Sequence, residues 1–116
     1  MGYVGSLSYE SKFTAPDTTN VERSSESIGR GRIARVISAY VADYTTANKK
    51  MIIGKRDSAN NVHYIKVVKE TNTHSIALDQ PVILLENEKL IGIVESPTAD
   101  DVLYFSYYGE QYQRVQ

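Results

Sequence analysis

The chain has 116 residues, 41% of them apolar and 23% charged, which suits one compact domain and excludes a multidomain enzyme. Thirteen Lys and Arg against fourteen Asp and Glu leave a net charge of -1, which argues against a general polyanion binder, and the lack of cysteine removes disulfides, thiolate metal sites and cysteine nucleophiles. No apolar run approaches the roughly 20 residues needed to cross a bilayer, and no apolar leader follows Met1, so no membrane partner is expected.

Residues 1–27 read as an extended N-terminal arm, in which nine residues are Ser or Thr. Tyr3, Leu7, Tyr9 and Phe13 fall on odd positions with polar residues between them, an alternation suited to an added strand. Residues 15–27 show no hydrophobic period and are expected to be loop or linker.

From residue 28 to 116 the chain breaks into short apolar runs, expected as strands at 32–44, 50–55, 62–69, 75–78, 81–85, 90–95 and 102–108, with a further one at 111–115. Turn-forming residues separate them at 45–48, 57–61, 72–73, 86–89 and 96–101. Val and Ile together number 21 against six Leu, and β-branched side chains lose rotamer freedom in helices but pack well in sheets. The expected fold is therefore all-β: a single antiparallel, jelly-roll-like β-sandwich of seven or eight strands preceded by the arm. One run is ambiguous by period. Ile33, Val36, Ile37, Tyr40, Val41 and Tyr44 also match amphipathic-helix spacing, but the Gly29-Arg30-Gly31 entry without an N-cap and the Val, Ile and Tyr content favour a strand.

Charge is uneven along the chain: residues 28–69 carry nine basic and two acidic residues, and residues 70–116 two basic and eight acidic. If the two groups lie in neighbouring strands they pair internally; if they segregate, copies can meet head to tail.

No catalytic pattern emerges. His63 and His74 sit in a strand and a turn with no nucleophile patterned against them, and Gly29-Arg30-Gly31-Arg32 lacks phosphate-loop spacing. Asp100-Asp101 with Glu95 lacks the alternating ligands of a Ca²⁺ loop. The expectation is a protein without enzymatic activity, cofactor or metal.

Binding features are clearer. Tyr supplies nine of the eleven aromatic residues, and its apolar ring with a polar tip suits contact surfaces. The run 102–108 alternates Tyr104, Ser106 and Tyr108 with Leu103, Phe105 and Tyr107, so both faces carry large apolar area and one of them asks for cover. The partner-binding candidates are Tyr3, Leu7, Tyr9 and Phe13 on the arm, with Tyr104, Tyr107, Tyr108 and Tyr112. An alternative has Tyr104, Tyr107, Tyr108 and Tyr112 stacking on sugars in a host-surface module. A third reading, given less weight, is a nucleic-acid binder of the OB type using Lys49, Lys50, Lys55, Arg56, Lys66 and Lys69 around Tyr64.

The order of segments resembles small β-sandwich structural proteins of tailed-phage virions. The pieces that carry the resemblance are Gly31-Arg32-Ile33-Ala34-Arg35-Val36, Thr45-Thr46, the basic strand at 50–56, Asp57-Ser58-Ala59-Asn60-Asn61-Val62, Pro81-Val82-Ile83-Leu84-Leu85 and the acidic turn at 86–92, where Asn87 stands nearest the family's usual glycine. The resemblance implies a virion component assembled in the host cytoplasm: a capsid decoration or cement protein, or a head or tail accessory domain. Its partners would be the major capsid or other virion proteins and further copies of itself.

Overall fold

The computed structural model, which describes residues 2–69 and 73–114, has nine strands. They are β1 (Gly2–Thr14), β2 (Val21–Ser24), β3 (Arg32–Asp43), β4 (Met51–Arg56), β5 (Val62–Val68), β6 (Ser75–Ala77), β7 (Val82–Leu84), β8 (Lys89–Val94) and β9 (Val102–Gln113). One sheet runs β1-β9-β3-β6, with β7 also paired to β3, and the other runs β2-β8-β4-β5. The pairs nest like one long hairpin: β4 with β5 at its tip, then β3 with β6 and β7, β2 with β8, and β1 with β9, all antiparallel. Rolling such a ribbon so that successive rungs fall into opposite sheets gives the jelly-roll form of the β-sandwich, the expected fold class.

The core lies between the sheets. Ala34, Val36, Ala39, Val41, Leu103, Phe105 and Tyr107 come from the larger sheet, and Met51, Ile53, Leu90 and Val94 from the smaller. Gly92 lets the layers close, because a Cβ there would stand 2.7 Å from both the Phe105 ring and Val41 Cγ2. Phe105, 2% exposed, occupies that space, and burying such a side chain contributes roughly 1.5–3 kcal/mol.

The N-terminal region departs from expectation. Residues 2–14 pair with β9 along its length, and residues 21–24, expected as linker, form β2 against β8. Beyond β2, Ser25 N–H donates to Leu90 O and Leu90 N–H donates to Ser25 Oγ, each at 2.9 Å, and Ile28 is buried. The expected boundary at 27/28 thus separates nothing: β1 and β2 are rungs of the roll. Only Val21 of β2 enters the core, too few residues to leave a period in the sequence.

The ambiguous run is a strand, and its helix-like spacing has a cause. The β3–β9 register shifts between Val36 and Ser38, so the buried set changes from Ala34 and Val36 to Ala39 and Val41. One inserted residue turns a period of two into an apparent step of three. The strands expected at 102–108 and 111–115 are continuous in β9, where Gly109 pairs with both Val36 and Leu7. Asn60 and Asn87 both take positive φ, at 68° and 66°, a left-handed conformation that asparagine tolerates better than most residues. Met1, the turn residue Asn72 and Val115 lie outside the described residues.

Candidate interaction surface

The eight candidate contact residues all lie on β1 and β9, but the pleat divides them. Leu7, Tyr9, Phe13 and Tyr107 point between the sheets, and Tyr3, Tyr104, Tyr108 and Tyr112 point outward. Tyr3 departs from its odd-numbered companions because the β1–β9 register shifts between Tyr3 and Gly5, placing Tyr3 opposite Tyr112, with their rings edge-on at 5.8 Å.

The inward set serves the fold. Tyr107 is 7% exposed and stacks on Tyr9 at 5.7 Å, Leu7 and Phe13 pack against the core, and the Arg23 guanidinium lies 4.1 Å over the Phe13 ring. Tyr107 is therefore a contact within the fold, while Leu7 and Phe13 pack against the core and keep part of their surface open. Tyr9 keeps an open flank, being 44% exposed at the edge of the sandwich. The inward face of β9 is covered by the opposite sheet, and its outward face stays open.

The outward set makes a phenolic face that sequence spacing only half revealed. Tyr40 meets Tyr104 edge-on at 5.6 Å and Tyr44 meets Tyr104 at 5.9 Å, so β3 and the residue just after it contribute two tyrosines to the patch. The bulge near Ile37 hid them, since plain alternation from Ile33 puts Tyr40 on the wrong face. Burial, then the neighbouring phenols and Glu10, raise Tyr44 above the usual tyrosine range. Tyr112 donates a short hydrogen bond to Glu110, which raises the Tyr112 hydroxyl as well. Beside this cluster, Ser8, Ser38, Ser106 and Tyr108 line a shallow depression of about 340 Å³. Phenols and serine hydroxyls, with Glu10 beside them, offer a partner flat apolar rings with hydrogen-bonding tips.

At the end of β3 two buried carboxyls meet. Asp43 Oδ1 accepts from Thr45 and Thr46 N–H at 3.1 and 3.0 Å, and Asp101 accepts from the Thr46 hydroxyl at 2.8 Å and Thr98 N–H at 3.0 Å. Burial, then Asp101, push Asp43 up to about 6. Burial opposes ionisation of Asp101 too, but hydrogen bonds from Asp43, Thr46 and Thr98 outweigh it and hold Asp101 low. Asp43 is therefore the carboxyl of the two that keeps its proton to higher pH.

The residues weighed for other chemistry fall apart. His63 Nε2 lies 2.8 Å from Asp57 Oδ2, and Asp57 also accepts from Ala59 and Asn61 N–H, which makes the pair part of a hairpin turn. His74 Nδ1 lies 2.8 Å from Asp43 O. Among the described residues no group of three or more His, Asp or Glu is placed to hold a metal. The basic set around Tyr64 is largely neutralised by Lys50–Glu95, Lys55–Glu88, Arg56–Glu22 and Lys66–Asp79. Three of those four pairs join the basic stretch 28–69 to the acidic stretch 70–116, so part of that charge pairs internally.

No protein-family model matches the sequence, and no curated protein matches it. Among solved structures the chain is similar to the core of Drosophila NLP, a structure described for its pentamer formation and histone binding. The likeness has 14% identity, covers 90% of this chain and 96% of that one, and has a TM-score of 0.45.

Proposed function

We propose that this chain is a non-enzymatic structural protein of a tailed-phage virion, a capsid decoration or cement protein that grips shell proteins through the outer face of its larger sheet. The observation that carries the reading is the phenolic patch of Tyr3, Tyr40, Tyr44, Tyr104, Tyr108 and Tyr112 on a face that no element of the chain covers among the described residues. Buried aromatic anchors ringed by polar groups dominate protein interfaces, and many modest contacts repeated over a lattice resist pressure without any bond being made. The resemblance in segment order supports the virion setting.

The test is occupancy. The protein should be stoichiometric in purified particles, and Tyr104→Ser with Tyr108→Ser should lower occupancy about tenfold while the fold persists. Absence from particles, or full occupancy by the variant, would overturn the reading. Saturable binding on a glycan array, lost in the same variant, would assign the face to host-surface sugars instead.

A further inference from the structure

We propose that β1 pairs edge to edge with β1 of a second copy, antiparallel about a two-fold axis at Ser11, joining two five-stranded sheets into one of ten. This deepens the assembly reading by naming the partner, but it uses the free edge of β1 and leaves the phenolic patch for the shell.

β1 is an edge strand of 13 residues whose one strand neighbour is β9, so half of its backbone donors and acceptors face outward. Edges of this length normally carry proline or a bulge that prevents pairing. Here the one irregularity is at Tyr3 and Gly5, and the register from Ser6 to Thr14 is unbroken. The charges on this stretch are Glu10 and Lys12, both outward-facing and exposed, and neither joins an ion pair among the described residues.

Two-fold pairing on Ser11 places Glu10 of each copy directly opposite Lys12 of the other, giving two cross-strand ion pairs. On the opposite face the same register sets Tyr9 against Phe13, twice. Tyr9 is the inward-set aromatic that its own core leaves 44% exposed, so the second copy completes its cover. Seven residues from each copy, 8–14, overlap in this register, longer than the five or six of an ordinary strand. Charge order, aromatic order and the free ladder select the same axis.

Sedimentation velocity on the full chain, from about 1 to about 500 μM, should show a monomer–dimer equilibrium. Glu10→Lys and Lys12→Glu should each weaken the dimer by about tenfold, since each sets like charges opposite one another twice, and the double exchange should restore it. In a chain without other cysteines, Ser11→Cys should give a disulfide-linked dimer on mild oxidation. Circular dichroism melts confirm that each variant is folded. A wild type that stays monomeric throughout means that the charges guard the edge, and that result overturns the proposal. So does a dimer indifferent to the single exchanges, or a double exchange that fails to rescue it. Shell occupancy is read separately, so loss of the dimer leaves the tyrosine reading standing or falling by its own test.

Discussion

The outer faces of the two sheets solve the same problem differently. The larger sheet turns phenols and serines outward and leaves them open. The smaller sheet turns aliphatic residues outward and buries several of them. Ile52 and Ile91 are both 0% exposed yet stand outside the central core cluster, on the solvent side of β4 and β8. The register accounts for Ile91: Glu22 lies opposite Ile93 and Arg56 opposite Lys89, so the bidentate Arg56–Glu22 bridge, at 2.8 Å for both contacts, crosses β8 over Ile91. Ile52 is flanked by Val67 and Ile93. Where the chain's own side chains close the outer face, as over Ile91 and Ile52, the burial adds stability, although β5 beside them stays exposed. A face left open with aromatic tips is available to another molecule.

That contrast is most strongly tested by truncation. Ile91→Ala should cost about 2–4 kcal/mol in urea denaturation, as for a core residue, although it points away from the core. A cost below about 1 kcal/mol would mean that the bridge does not seal it.

The next effect is a pH dependence at the end of β3, beside Tyr44. Folded Asp43 keeps its proton up to about 6 against an ordinary value of 3.8, so its contribution is complete below 3.8 and is lost as pH rises through about 6. Asp101 is held low and acts oppositely, contributing above 3.8 and losing that contribution on acidification. From this pair, stability should therefore peak near pH 4 and fall between about 4 and 6, and Asp43→Asn should flatten that fall, read as Tm against pH.

Smaller still is the separation of charge from cover in the bridge. Arg56→Met should retain more of the Tm than Arg56→Ser, because the hydrocarbon stem shields Ile91 even without its charge. Equal losses would make the ion pair itself the seal. On the open face, Tyr108→Ser should shift stability by less than about 0.5 kcal/mol, and a larger loss would mean that this ring also serves the fold.

Much of the architecture was legible because short apolar runs bounded by turn residues mark β4, β5 and β8. β4, β5 and β8 fall within a residue or two of their expected limits. What was hidden lies at irregularities. The bulge beside Ile37 disguised β3 as a helix and concealed Tyr40 and Tyr44, and the register shift at Tyr3 split an apparently uniform arm across two faces. β2 has four residues and one core side chain, and its place depends on β8, some seventy residues away in sequence. The assignment of Tyr107 failed for a related reason. Alternation put Tyr107 and Tyr108 on opposite faces of β9, but only the second sheet decides which face is inward.

The central position of β9 has a consequence for biogenesis. The strand is synthesised after the other eight described strands yet lies between β1 and β3, so the larger sheet cannot close until β9 has left the ribosome. Until then β1 has no partner and Phe105 has not arrived to fill the space above Gly92. A prematurely terminated product would lack the middle of a sheet, which makes any such fragment a substrate for chaperones or proteases before it can join an assembly.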